Sequence, residues 1–196
     1  MVANVHEMET AMTEYDSAEP GAGGEGEAGL SAADQAQEPT VVTLHGEHGE
    51  TIYAIDRDGD GRADIVAYDD DSDGKVDRYA IDTDGDGTLE TELRDLDGDG
   101  RVDAVFIDTD NDGDKDVAAL DTNGDGSFDR VVADLDNDGN IDTDVRDTNF
   151  DGKADYVARD LDGDGRRDVT ITDSDFDGHF ETVKYDNPKD DPLAQA

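Results

Sequence analysis

Aspartates at fixed spacing are the only residues in this chain placed to do chemistry. Between residues 56 and 185 a thirteen-residue unit recurs ten times without insertion. It reads D-x-[D/N]-x-D-G-x-x-[D/E], followed by four residues that are mostly apolar. We number the loops 1 to 10, starting at Asp56, Asp69, Asp82, Asp95, Asp108, Asp121, Asp134, Asp147, Asp160 and Asp173. A hard divalent cation takes several oxygen ligands at short range, and positions 1, 3, 5 and 9 offer them.

The candidate ligands follow loop by loop. Loop 1 offers Asp56, Asp58, Asp60 and Asp64, and loop 2 offers Asp69, Asp71, Asp73 and Asp77. Loop 3 has Asp82, Asp84, Asp86 and Glu90; loop 4 has Asp95, Asp97, Asp99 and Asp103. Loop 5 has Asp108, Asp110, Asp112 and Asp116; loop 6 has Asp121, Asn123, Asp125 and Asp129. Loop 7 has Asp134, Asp136, Asp138 and Asp142; loop 8 has Asp147, Asn149, Asp151 and Asp155. Loop 9 has Asp160, Asp162, Asp164 and Asp168; loop 10 has Asp173, Asp175, Asp177 and Glu181. Of these forty slots 38 are carboxylates, and the two Asn keep an oxygen donor while shedding charge. The backbone carbonyl at position 7 can add another oxygen. Position 6 is Gly in every loop, which lets the chain turn sharply beneath an ion. Flexible carboxylate loops suit calcium better than magnesium, which demands tight octahedral geometry and keeps its waters.

Positions 1 to 6 resemble the front of the EF-hand calcium loop. The resemblance ends at position 12, where an EF-hand has a bidentate Glu and these units have apolar residues or Lys184. Only four residues separate consecutive loops, too few for flanking helices. The nine-residue form is similar to the calcium loops in FG-GAP repeats of integrin-type propellers, where a ninth-position acid ligates. It also resembles the aspartate-rich type-3 repeats of thrombospondins, which use cysteines and differently spaced units. The resemblance covers about 130 residues. It implies ion ligation at positions 1, 3, 5 and 9, and implies neither adhesion nor a propeller blade.

The composition requires a counter-charge. The chain of 196 residues carries 56 acidic and 15 basic side chains, a formal charge of -41, with only 33% hydrophobic residues. Such a chain repels itself into disorder unless cations neutralise it. Ten calcium ions would take it to about -21. Nucleic acid and anionic membrane are poor partners, because both are negative, and no nucleic-acid partner is expected. No apolar run is long enough to span a bilayer, so membrane insertion is not expected. With no Cys there is no disulfide framework or thiol chemistry.

The elements that must position the loops are short strands. The tetrads between loops are β-prone, as in Ile65-Val66-Ala67-Tyr68 and Val105-Phe106-Ile107. The expected fold is an all-β repeat array of ten loop-plus-strand units. A solenoid or roll-like stack is favoured, with an antiparallel meander as the alternative. No convincing 26- or 39-residue alternation in the sequence decides between them. Positions 8 and 12 are assigned to one strand face, and positions 11 and 13 to the other. The expected organisation is a disordered acidic arm over 1–38, a β capping segment over 39–55, the repeat domain over 56–185 and a flexible tail over 186–196. His45, Glu47, His48 and Glu50 are read as a solvated turn of the cap rather than a zinc site.

The functional expectation is non-enzymatic binding of up to about ten calcium ions with calcium-coupled folding, in a structural or buffering role. The alternatives are a calcium-dependent interaction or adhesion module at a cell surface, with a protein or polysaccharide partner, and, ranked last, a metal-dependent hydrolase. Against catalysis, the carboxylates sit in ten equivalent loops with no copy singled out, and no Ser-His-Asp set is present. Loops without a position-12 Glu predict affinities of roughly 10⁻⁴ to 10⁻³ M, typical of extracellular modules. That favours the cell surface, although Met1 to Thr13 lacks the pattern of a signal peptide.

Overall fold

The computed structural model describes residues 39–46 and 49–186. The arm over 1–38, the pair Glu47 and His48, and the tail beyond 186 lie outside the described residues. Twelve strands form one sheet in the order of the chain, and every pair is antiparallel. They are β1 (Thr40–His45), β2 (Thr51–Asp56), β3 (Ile65–Asp69), β4 (Arg78–Ile81), β5 (Thr91–Arg94) and β6 (Ala104–Ile107). Next come β7 (Val117–Leu120), β8 (Arg130–Ala133), β9 (Thr143–Arg146), β10 (Tyr156–Arg159), β11 (Val169–Thr172) and β12 (Thr182–Tyr185). The all-β repeat array is therefore present, and its strand order is that of the antiparallel meander. The parallel stacking of coils that a β-solenoid needs is absent among the described strands.

The reason lies in how each loop closes. The amide of position 9 donates to the last carbonyl before the loop: Asp64 to Ile55 at 2.8 Å, Asp77 to Tyr68 at 2.8 Å, Asp116 to Ile107 at 2.9 Å. The chain thus leaves each loop beside the point where it entered, so every loop is a hairpin. Odd-numbered loops fall on one edge of the sheet and even-numbered loops on the other.

Antiparallel pairing of four-residue strands also swaps faces at each step. Position 12 of one unit sits opposite position 11 of the next: Ala67 with Tyr79, Tyr79 with Leu93, Leu93 with Val105 and Val105 with Ala119. The line continues through Val131, Val145, Val157 and Ile171 to Val183. This spine is apolar throughout. Its centre is a buried cluster of Val131, Val145 and Val157, packed by Val117, Ala119, Ile171 and the position-8 residue Ala154. The opposite face contains Glu92 and Asp144 on the corresponding line. The spine therefore alternates between positions 12 and 11 with a 26-residue period. The expectation that one position marks one face holds within a unit and fails across the sheet.

The opposite face is held by polar contacts. Arg130 and Arg146 both bond Asp144, with Nε to Oδ1 at 3.0 Å and Nη2 to Oδ2 at 2.5 Å respectively. Arg78 lies 3.5 Å over the Tyr68 ring and Arg146 5.1 Å over Tyr156. These tyrosines serve the sheet, as their strand positions predict.

Asp186, expected to begin the flexible tail, is held instead. Its amide donates to the Asp168 carbonyl at 2.7 Å, and its carboxylate meets Arg167 at 3.1 Å and Lys184 at 2.5 Å. It occupies the register of a position-1 residue, one step beyond the last unit.

Candidate metal centre

Each loop is folded around its own carboxylates. At position 1, Oδ2 accepts the amide of the position-6 glycine in all ten loops, from Asp147 with Gly152 at 2.7 Å to Asp69 with Gly74 at 3.1 Å. At position 5, Oδ1 accepts the amide of position 7 in all ten. At position 9, one oxygen accepts the amide of position 2 in all ten. At position 3, the side-chain Oδ1 takes the amide of position 5, as in Asp58 with Asp60 at 3.0 Å and Asn149 with Asp151 at 3.0 Å. Position-3, -5 and -9 side chains thus spend an oxygen on the backbone of their own loop. Isolated amides could not hold like charges this close for nothing; the turn itself depends on them.

The remaining oxygens converge. In loop 10, Asp173, Asp175, Asp177 and Glu181 each offer an oxygen within 4.8 Å of the others. The same distance encloses Asp56, Asp58 and Asp64 in loop 1, Asp69, Asp71 and Asp77 in loop 2, and Asp82, Asp84 and Asp86 in loop 3. It also encloses Asp95, Asp97 and Asp99 in loop 4. Five position-1 residues, Asp69, Asp108, Asp147, Asp160 and Asp173, are buried. Several position-9 residues are buried as well, among them Glu90, Asp116, Asp129, Asp155 and Asp168.

The electrostatics differ around one loop. Burial pushes the Asp160 carboxyl up, but amides of Gly163, Gly165, Asp162 and Asp164 outweigh it and hold the group below its usual value. Asp173 is likewise pushed up by burial and brought below the usual value by Gly178 and Phe176 amides. Asp162 goes the other way, raised by desolvation and then by the neighbouring carboxylates Asp168 and Asp164. Asp136 in loop 7 is raised for the same reasons, with Asp142 and Asp138 beside it. The amides stabilise Asp160 and Asp173 as carboxylates, while Asp162 and Asp136 face repulsion that a cation would remove.

Four buried carboxylate oxygens have no hydrogen-bond partner: Asp69 Oδ1, Asp108 Oδ1, Asp134 Oδ1 and Glu90 Oε2. Three of them are position-1 oxygens, and they fall in loops 2, 5 and 7. In the other seven loops that oxygen takes the amide of position 4, as Asp95 takes Gly98 at 2.7 Å. An unpartnered buried carboxylate oxygen costs several kcal/mol by order of magnitude unless a cation or proton meets it. The donor set is all oxygen, several-fold and anionic, and fits a hard divalent ion.

Two classes of functional residue were not visible in the repeat consensus. Position 4 has positive φ in every loop: Gly in five, then Ser72 at 66°, Asn111 at 61°, Asn137 at 57°, Phe150 at 60° and Phe176 at 59°. The mixture of Gly and Asn there was the available signal. Position 2 orients position 9. Thr122 Oγ1 donates to Asp129 Oδ1 at 2.6 Å and Thr148 Oγ1 to Asp155 Oδ1 at 2.7 Å. The recurrence of Thr or Ser at position 2 in half of the loops marked it.

Cations at positions 7 and 8 reach beyond their own loops. Arg62 Nη1 donates to the Asp86 carbonyl at 2.7 Å, Lys75 Nζ to Gly98 at 2.5 Å and Lys115 Nζ to Glu90 at 3.0 Å. Each ends on a neighbouring loop of its own edge, the following one for Arg62 and Lys75 and the preceding one for Lys115. His179 is exposed. No known family model, curated protein or solved structure matches this chain.

Proposed function

We propose that this chain binds calcium ions, one per loop, and that binding holds the loops and strands of the meander in place. The role is structural or buffering, and non-enzymatic. The observation that carries this reading is the set of buried, unpartnered oxygens on Asp69, Asp108, Asp134 and Glu90; Asp69 lies in a loop where Asp69, Asp71 and Asp77 converge, and Glu90 in one where Asp82, Asp84 and Asp86 do. Positions 1, 3, 5 and 9 are the side-chain ligands in each loop, joined by the position-7 carbonyl. When bound, the ion supplies the positive charge that the converging oxygens lack.

Magnesium fits less well, because the loops offer many oxygens without an octahedral cage. The thin spine of Val and Ala contributes little at about 25 cal/mol per Å², against roughly 1 to 2 kcal/mol of ordering cost per residue. Ion binding makes up much of that difference. The expected affinity, roughly 10⁻⁴ to 10⁻³ M, suits a compartment with millimolar calcium such as the cell exterior. Calorimetric titration giving sub-micromolar affinity would overturn that placement.

Equilibrium dialysis against calcium tests the function itself. Eight to ten ions per chain at saturation is the expected result, to order of magnitude one per loop. Two or fewer would contradict it.

A further inference from the structure

The meander separates loops that are adjacent in the chain and joins loops that are not. We propose that the ten loops act as two rows of five coupled cation sites, each site coupled to the next loop on its own edge, 26 residues away, and not to its chain neighbour 13 residues away. Asn111 and Asn137 are positioning residues in this scheme. The inference rests on the calcium reading above and adds a rule for which sites communicate.

Every same-edge pair of loops shares a backbone hydrogen bond between two ligand residues. The position-1 amide of one loop donates to the position-9 carbonyl of the loop before it on that edge. On the odd edge these are Asp82 to Asp64 at 2.8 Å, Asp108 to Glu90 at 2.9 Å, Asp134 to Asp116 at 2.8 Å and Asp160 to Asp142 at 2.9 Å. On the even edge they are Asp95 to Asp77, Asp121 to Asp103, Asp147 to Asp129 and Asp173 to Asp155. Among the described residues no hydrogen bond joins a loop of one edge to a loop of the other.

Side chains strengthen the same links. Asn111, at position 4 of loop 5, donates through Nδ2 to Asp86 Oδ2 of loop 3 at 3.3 Å. Asn137, at position 4 of loop 7, donates through Nδ2 to Asp110 Oδ2 of loop 5. Both acceptors are the ligand oxygens not spent on their own loop, since Asp86 Oδ1 takes Thr88 and Asp110 Oδ1 takes Asp112. Both Asn have positive φ, and both reach the preceding loop of their edge. Arg62 and Lys115 both end on carbonyls of loop 3, while Lys75 ends on loop 4.

An ion that fixes positions 1 and 9 of one loop therefore orders half of the shared bond for its neighbour. The second ion has less chain to order, which is positive coupling. Ion–ion repulsion opposes this weakly. Loops on one edge stand two strand spacings apart, about 10 Å, and charges there are screened over a Debye length of about 8 Å.

The position-6 glycine amides give one reporter per loop, because each bonds its own position-1 carboxylate. Calcium titration of the full chain, followed by nitrogen–proton NMR at Gly87, Gly100, Gly113, Gly126 and Gly139, reads loops 3 to 7 separately. Asp112→Ala removes the position-5 ligand of loop 5. The expected result is a rise of about fivefold in the calcium midpoints at Gly87 and Gly139, with Gly100 and Gly126 moving less than about twofold. Asn137→Gly keeps the left-handed backbone and removes only the cross-loop amide. It raises the midpoint at Gly113 by about fivefold and leaves Gly126 in place. Equal shifts at Gly100 and Gly126, or no shift at Gly87 and Gly139, would overturn the rows while leaving calcium binding intact. A wild-type chain whose glycine signals do not respond to calcium would contradict the calcium reading itself.

Discussion

The Asp108 amide donates to the Glu90 carbonyl at 2.9 Å, and each of these residues also carries a buried carboxylate oxygen without a partner, Asp108 Oδ1 and Glu90 Oε2. The two belong to loops 5 and 3, neighbours on one edge. The backbone is satisfied between them and the side chains are not. On the calcium reading, these open oxygens are where the charge of a bound cation would be met.

The central ligands can be removed singly. Asp99→Ala takes the position-5 ligand from loop 4, and Asp103→Ala takes its position-9 ligand, which also accepts the Leu96 amide at 2.6 Å. Either change weakens calcium at that loop by at least about tenfold and loosens the strands beside it. Site-resolved titration at Gly100 checks this. Wild-type affinity there in both variants would contradict the ligand assignment.

Position 4 makes a prediction about strain. Phe150 holds φ at 60° with its ring half exposed, so the ring contributes little packing to offset the backbone. Phe150→Gly relieves that strain and stabilises the calcium-loaded chain by about 1 kcal/mol. Gly98→Ala does the reverse: an added Cβ meets nothing within 4 Å, but φ is +77°. It costs about 1 kcal/mol. Urea denaturation in saturating calcium measures both.

How much of this could be read from the sequence divides by length scale. The candidate ligand positions were legible because Asp, Gly and the thirteen-residue spacing state them in every copy. The topology was not, because it depends on where the chain exits each loop. That is set by bonds such as Asp116 N to Ile107 O, which any residue type can make. The spine was missed because Ala67, Leu93 and Ala119 occupy position 12 while Tyr79, Val105 and Val131 occupy position 11. Scanning one position at a time averages the two faces. Position 4 was hidden by its variety, since Gly, Asn, Ser and Phe share only a backbone conformation there.

Asp144 predicts a pH dependence away from the loops. Burial pushes its carboxyl up, but Arg146 and Arg130 outweigh this and hold it below the usual value. A depressed acid contributes stability above its unfolded pKa, near 3.9, and loses it as pH falls through the folded value. Asp144→Asn therefore destabilises the chain by about 1 kcal/mol at neutral pH. The gap between variant and wild type closes below about pH 4. Thermal unfolding of both proteins across pH 3 to 7, to order of magnitude the titration range of a carboxylate, checks the sign.

Calcium-coupled folding is tested most directly by far-UV circular dichroism together with hydrodynamic radius, in chelator and then in millimolar calcium at fixed ionic strength. In chelator, the converging carboxylates repel and four-residue strands cannot persist alone. The account predicts an expanded, disordered chain that becomes compact β-structure as calcium is added. A compact β-fold unchanged by chelator would contradict it.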